Sequence, residues 1–232
     1  MSSTDISLNP RTIQFIRRIL SVAETGKPEW DPGQVFTHAD GKAGRRQVTL
    51  SIGFTEDGGN LRVVLERYLA KGGALSAKLA PYVTRLGCGV LASNAEFKRL
   101  LREAGKEPAM AQAQEEVFNE KYLAPALKWA RENGLVLPLS VLVIADSFLH
   151  SGSVPVFLTK RFPEKRPANG GEERAWTNAY LSTRRKWLAT HSNKLLRVTV
   201  YRADCFLREI GRGNWELTQS PVVMHGTQVR IA

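Results

Sequence analysis

A carboxylate at the end of the first predicted helix has the placement expected of a general acid. Asn9 can cap this helix, and Gly26 ends it. Steps of three, four and four residues place four side chains on one helical stripe: Ile13, Ile16, Leu20 and Glu24. Because desolvation disfavours a carboxylate anion, an apolar stripe would help to keep Glu24 protonated, as a general acid requires.

A polar loop and a strand follow this helix. Segment 37–47, with the sequence THADGKAGRRQ, predicts a hairpin or flexible loop and carries a second carboxylate, Asp40. The strand predicted at 47–54 alternates polar and apolar residues and places Thr49 and Ser51 on the same face as Gly53. Two hydroxyls and a residue without a side chain indicate that this face borders a cleft.

This order of features resembles that of lysozyme-like glycoside hydrolases. The string TLSIGF at 49–54 is similar to a strand of phage-type lysozymes. A longer resemblance is to the chitosanases of glycoside hydrolase family 46, whose first helix ends in Ser-Ala-Glu, as SVAE does here at 21–24. The features that follow in the family are matched in order by Trp30, Asp40 with Gly41, Thr49 and the IGF of 52–54.

The second half of the chain extends the resemblance. In the family, an Asp in a hydrophobic helix precedes His-Gly, and this pattern resembles IADSFLHSG at 144–152, which contains Asp146. The two arginines of the family resemble Arg184 in YLSTRRKWL and Arg197 in LLRVTVYR.

The resemblance implies a role for each of these residues. Glu24 would protonate the glycosidic oxygen, Asp40 would activate a water molecule, and Thr49 would position that water. Ser51 and Gly53 would leave room for a sugar ring. The expected ionic network that supports Glu24 consists of Asp146, Arg184 and Arg197. Inversion at the anomeric carbon is the expected stereochemistry.

Alternatives remain open for several of these residues. AGRR at 43–46 looks inserted relative to the family, so the base could instead be Glu56 or Asp57. Thr49 could serve only as a strand residue of high β-propensity. Asp146 and its arginines could be structural, because structural ion pairs also perturb pKa values.

The coarse pattern predicts an α+β fold that is mainly α-helical. We expect one lysozyme-like domain over residues 1–232, with a small N-terminal sheet and a cleft between two lobes. The run GLVLPLSVLVIAD at 134–146 is too short to span a bilayer and predicts a core helix. Segment 158–173 predicts a mobile loop. Further helices are expected at 60–73, 74–86, 93–104, 108–132, 135–150, 172–190 and 195–210.

Cysteine and histidine usage argues against a metal centre. Cys88 and Cys205 are far apart and lack a CxxC pattern, which predicts two buried free thiols. The four histidines are scattered, so the sequence implies no metal and no cofactor.

The charge is +11, with a sequence pI near 10, and this favours a polyanionic partner. Chitosan is a polycation, and an acidic residue that the chitosanases have after the IGF strand is replaced here by Asn60. The first hypothesis is therefore a muramidase that cleaves peptidoglycan strands. The alternatives are a chitosanase and, less favoured, a nucleic-acid binder that uses KRFPEKR at 160–166 and RRK at 184–186.

The first ten residues lack the features of a secretory signal. A cell-wall hydrolase of this kind resembles a phage endolysin or a bacterial effector delivered by a secretion system. An effector would have an immunity protein as a partner. We expect a monomer without membrane insertion, which could be a fragment of a longer protein.

Overall fold

The computed structural model describes residues 8–231, which divide into two compact units. The first unit combines the chain up to Pro28 with the chain from Tyr122 onward, and the second is Glu29–Lys121. Helices dominate both units, and a three-stranded sheet lies in the second. The predicted α+β, mainly helical fold class with a small N-terminal sheet is confirmed.

The first unit is built from helices and one C-terminal hairpin. Its helices are α1 (Pro10–Thr25), α6 (Ala124–Glu132), α7 (Pro138–Ser151), α8 (Val156–Thr159), α9 (Glu173–Ala189), α10 (Lys194–Arg197) and α11 (Tyr201–Gly211). Residues Val198–Val200 form a 3₁₀ turn that links α10 to α11. The hairpin pairs β4 (Val222–Met224) with β5 (Thr227–Val229).

Helix α7 forms the centre of this unit. All ten of its residues from Pro138 to Ser147 are buried, so the helix is covered on every side, as its continuous apolar sequence predicts. Helices α1, α6, α9 and α11 pack against it. Its bounds differ by a few residues from those expected, because Pro138 occupies the first turn, where the missing N–H costs no hydrogen bond.

Helix α1 begins and ends as its sequence indicates. The Asn9 side chain accepts a hydrogen bond from the Thr12 N–H at 2.8 Å, and Gly26 adopts the left-handed conformation that ends the helix. Phe15, Ile16, Ile19 and Leu20 are buried. This packing fixes the last turn, which carries Glu24.

The second unit contains α2 (Asn60–Ala70), α3 (Ser76–Val83), α4 (Ala95–Ala104), α5 (Pro108–Phe118) and an antiparallel sheet. The sheet has the order β1 (Val35–His38), β2 (Gln47–Leu50) and β3 (Phe54–Thr55). Trp30 lies against Phe54 and Phe118, and its indole N–H donates to Gln114 Oε1 at 3.0 Å. Trp30 is therefore part of the packing of this unit.

The single strand predicted at 47–54 is wrong. The chain turns after Leu50, and β3 pairs back onto β2. Positive φ values at Ser51 and Gly53 make the reversal possible. All four residues of β2 are buried, because β2 is the central strand, so the polar and apolar alternation did not mark an exposed face.

Two other expectations differ from the structure. Cys88 is exposed between two glycines, so only Cys205 is a buried thiol. The expected helix at 108–132 is interrupted by a π-helical segment, Asn119–Leu123. Segment 158–173 contains the end of α8 and a 3₁₀ turn at Pro167–Asn169, and its mobility stays a prediction.

Within residues 8–231, no helix is long and apolar enough to cross a membrane.

Candidate active site

Glu24 lies in the last turn of α1 and is held by an arginine of α11. Its carboxylate Oε1 is 2.6 Å from Arg202 Nη1, and 18% of its side chain is exposed. The same guanidinium nitrogen donates to the Ala23 carbonyl at 3.2 Å. Two contacts from one guanidinium fix the end of α1, while the carboxylate keeps access to solvent.

Asp146 connects this arginine to a second one. It lies on α7 with no exposed surface, and its Oδ1 accepts from Arg202 Nε at 2.8 Å. Its Oδ2 accepts from Arg184 Nη1 of α9 at 2.6 Å. The order of charges is therefore Glu24, Arg202, Asp146, Arg184, two negative and two positive. A buried set of this kind is tolerable because every charge contacts an opposite one.

The sequence analysis predicted Arg197 as the second arginine of this network, and this prediction is wrong. Arg197 is exposed in α10, and Arg202, five residues later, takes the position. The error has a detectable cause. Buried residues recur with a helical period from Arg202 through Cys205 and Phe206 to Glu209, a stripe that excludes Arg197.

The buried charges shift the pKa values of the groups around them. Burial alone would raise the pKa of Asp146, but the guanidiniums of Arg202 and Arg184 outweigh it and hold this pKa well below its usual value. Burial would likewise lower the pKa of Arg202, but Asp146 and Glu24 raise it. Burial, with the two arginines, lowers the pKa of His150 to about 3, so this histidine is neutral near pH 7.

The environment of Glu24 is ionic and not apolar, which corrects the first expectation for this residue. The contact with Arg202 holds the Glu24 carboxyl in place, whereas the role of general acid also requires that it carry a proton. Asp146 draws on the same guanidinium, so the positive charge of Arg202 is shared between two carboxylates. The network thus fixes the position of Glu24 through an arginine that also pairs with Asp146.

Tyr201 is a further residue at the end of α1 that sequence reasoning missed. Its hydroxyl donates to the Ala23 carbonyl at 2.6 Å, and its ring lies 4.3 Å from that of His225 in the β4–β5 turn. Thr227 in the same hairpin donates to the Gly26 carbonyl at 3.3 Å. The C-terminal hairpin therefore supports the turn that carries Glu24.

Asp40 belongs to the second unit and is exposed. Its only contact described in residues 8–231 is with Gln47, whose side-chain amide donates to Asp40 Oδ1 at 3.0 Å. The Gln47 side-chain carbonyl accepts from the Asp57 N–H at 2.8 Å. One amide side chain thus holds Asp40 at the start of its loop and leaves a carboxylate oxygen available to water.

Asp57 and Glu56, the alternative bases, are occupied by structural contacts. Asp57 accepts from the Lys42 N–H and from Arg45, each at 2.7 Å, and these partners, with the Lys42 N–H first, hold its pKa below its usual value. Glu56 is buried and accepts from the Val48 and Gly87 N–H groups. Asp57 holds the loop that follows Asp40, Glu56 joins β2 to Gly87, and Asp40 is the one of the three that is exposed.

The hydroxyls of Thr49 and Ser51 are both buried, and neither has a hydrogen-bond partner within residues 8–231. An unsatisfied buried hydroxyl is costly, and a water molecule is a common partner for one. The water-positioning role that the resemblance implies for Thr49 stays a prediction. Asn60 begins α2, and Gly59 occupies its cap position. Across residues 8–231, no cluster of three His, Cys, Asp or Glu side chains could hold a metal ion.

The chain is a glycoside hydrolase with a lysozyme-like architecture. The chain belongs to glycosyl hydrolase family 46, whose model matches residues 18–222. The resemblance noted in the sequence is thereby confirmed. No curated protein matches the chain significantly.

Solved structures of chitosanases have the same fold. A family 46 chitosanase of Gynuella sunshinyii, solved in complex with chitotetraose, is 23% identical, with a TM-score of 0.83 over 97% of this chain and 99% of that one. A mutant chitosanase from Bacillus subtilis, solved in complex with 6 GlcN, is 22% identical, with a TM-score of 0.84 over 97% and 100%.

Proposed function

We propose that this protein hydrolyses the β-1,4 bonds of chitosan with inversion at the anomeric carbon. The observation that carries the proposal is a partly exposed carboxylate, Glu24, fixed by a buried ionic network in a chain of family 46. The sequence analysis placed peptidoglycan first. Family membership and the chitooligosaccharide complexes of similar structures support chitosan instead.

In this mechanism Glu24 protonates the oxygen between two sugars as the bond to the anomeric carbon breaks. Asp40 takes a proton from water, which attacks that carbon from the opposite face. Thr49 forms a hydrogen bond to this water, which is the role that the family resemblance implies for it. Arg202 holds Glu24 in place and stabilises its anion after the proton has left.

The proposal is tested with reducing-end release from fully deacetylated chitosan by the wild type and Glu24→Gln. The substitution keeps the size of the side chain and removes the transferable proton, so we expect a loss of about 10²-fold or more. Glu132→Gln is the matched control, since Glu132 is exposed in the same unit and its nearest cation, Lys128, is 3.8 Å away. Equal activity of Glu24→Gln and the wild type would refute the role of Glu24.

Peptidoglycan is the second candidate, and the positive charge of segment 174–203 favours it. No Asp or Glu occurs between Glu173 and Asp204. Exposed Arg197 and Val198 lie about one helical turn before Tyr201 and Arg202, which contact the end of α1. A cation and an apolar side chain at this position suit the carboxylates and N-acetyl groups of peptidoglycan better than the amines of chitosan.

Purified sacculi assayed beside chitosan distinguish the two candidates. Chitosan hydrolysis that depends on Glu24, with sacculi intact, supports the first. Release of muropeptides that end in reducing N-acetylmuramic acid, again dependent on Glu24, supports the second. Delivery as an effector or endolysin, and an immunity protein as partner, stay proposals that rest on the second candidate.

A further inference from the structure

An exposed apolar surface lies on α8 and the C-terminal half of α9, in the first unit. Val156 is 63% exposed and Phe157 is 45% exposed. The Phe157 ring lies 5.5 Å from that of Trp187, which in turn lies 5.1 Å from the ring of His191. Exposed aliphatic and aromatic side chains grouped in one place are typical of a surface that contacts a partner.

Cations surround this apolar surface. Arg161 lies over the Phe157 ring at 5.3 Å, and Lys160 precedes it at the end of α8. Lys186 is exposed next to Trp187. Within residues 8–231, neither lysine forms an ion pair, so both charges are available to a partner. The partner must therefore be anionic and must also present an apolar interior.

We propose that this surface, formed by Val156, Phe157, Lys160, Arg161, Lys186 and Trp187, binds the surface of an anionic lipid bilayer. Aromatic rings favour the boundary between head groups and acyl chains, aliphatic side chains enter the acyl region, and cations contact lipid phosphates. Each of the three components of the surface has a counterpart in such a bilayer. Binding of this kind is peripheral and involves no spanning segment.

The aliphatic component decides between a bilayer and other polyanions. A nucleic acid could pair its phosphates with the cations and stack its bases on the aromatic rings, but it has no apolar region to contact Val156. A soluble anionic glycan would form favourable contacts with the cations alone. Since Val156 is more exposed than Phe157, transfer of the Val156 side chain into an acyl region is the gain that only a bilayer provides.

Co-sedimentation with vesicles tests the proposal. Vesicles of phosphatidylglycerol and phosphatidylcholine in equal parts should bind the wild type, and pure phosphatidylcholine should bind it far less. The double variant Val156→Ser, Phe157→Ser should weaken binding about tenfold or more. Lys160→Glu with Arg161→Glu should weaken it about 30-fold or more, because the loss of each cation near an anionic membrane costs about fivefold and each new carboxylate adds repulsion.

Matched controls lie in the second unit. Val90→Ser removes a valine of comparable exposure, and Arg102→Glu with Lys106→Glu makes the same double charge reversal at exposed positions. Thermal melts show that each variant is folded. The proposal is overturned if the controls weaken binding as much as the surface variants do, or if vesicles do not bind the wild type.

Two other outcomes would also overturn it. If the surface variants weaken binding to a DNA duplex while vesicles do not bind, the partner is a nucleic acid. If they abolish a dimer seen by sedimentation velocity, the surface pairs two copies of the chain. Vesicle binding does not depend on Glu24, so Glu24→Gln should bind normally, and failure of the hydrolase proposal would leave this one intact.

Discussion

Removal of the Arg202 side chain tests the ionic network most sharply. The Arg202→Met variant keeps a side chain of similar length and loses the charge. Arg202 is 2% exposed and contacts both Glu24 and Asp146. Without it, Asp146 keeps only Arg184 as a partner, and Glu24 loses the contact that fixes it.

The expected loss of stability follows from burial. Breaking a buried ion pair by removing one partner costs about 3–5 kcal/mol, because the remaining charge stays buried and uncompensated. For a chain of this size, one kcal/mol corresponds to roughly 2–4 °C in Tm. We therefore expect the Tm of Arg202→Met to fall by about 6–20 °C, together with a loss of hydrolase activity.

Arg99→Met is the matched control. Arg99 also contacts two carboxylates, Glu96 and Glu103, each at 2.6 Å, but 49% of its side chain is exposed. Water screens such a pair, so its removal should change the Tm little. Urea and thermal unfolding of the two variants measure the difference. If Arg202→Met loses no more stability than Arg99→Met, the buried network does not stabilise the fold.

Three further predictions concern the loop, the base and the pH dependence. Asp57→Asn should lower kcat about tenfold or more, because the loop that follows Asp40 loses a charged anchor. Asp31→Asn is the control, since Asp31 is also a carboxylate of this unit that accepts one backbone N–H, and it should leave kcat unchanged. Equal kcat values for the two variants would refute the role of Asp57 as an anchor. Asp40→Gly should lose nearly all activity and regain part of it with azide, a small nucleophile that needs no base; activity near that of the wild type would exclude Asp40 as the base. The pKa of His150 is about 3 in the fold, so below about pH 6.5 the unfolded chain binds a proton that the folded chain does not, and stability should fall toward pH 4 by up to about 1.4 kcal/mol per pH unit. The free energy of unfolding, measured against pH, should decline less steeply for His150→Gln than for the wild type, whereas His38→Gln should follow the wild type. Parallel curves for all three proteins would contradict this prediction.

Local signals in the sequence predicted the helical part of the fold well. Helix α1 carries its own cap, its stop and its stripe, so its bounds follow from residues 9–26. The error at 47–54 arose because a central strand is buried on both faces, and periodicity cannot reveal that. The C-terminal hairpin was missed because its two strands have three residues each.

The candidate site was predicted in part. Glu24, Asp146 and Arg184 form one network, as expected, but the connecting arginine depended on the phase of α11, and Arg197 was chosen in place of Arg202. Asp40 remained one of three possible bases, because only coordinates reveal that Asp57 and Glu56 accept backbone N–H groups. Tyr201 supports Glu24 through the Ala23 carbonyl, and this contact joins residues 178 positions apart, which no local pattern reports.

The anomer that forms first during hydrolysis tests the central claim most directly. Proton NMR of a chitooligosaccharide, recorded within the first turnovers and before mutarotation, distinguishes the two anomers of the new reducing end. Protonation by Glu24 and attack by water from the opposite face predict the α-anomer from a β-1,4 bond. Initial accumulation of the β-anomer would contradict the mechanism, because it requires a covalent glycosyl-enzyme intermediate.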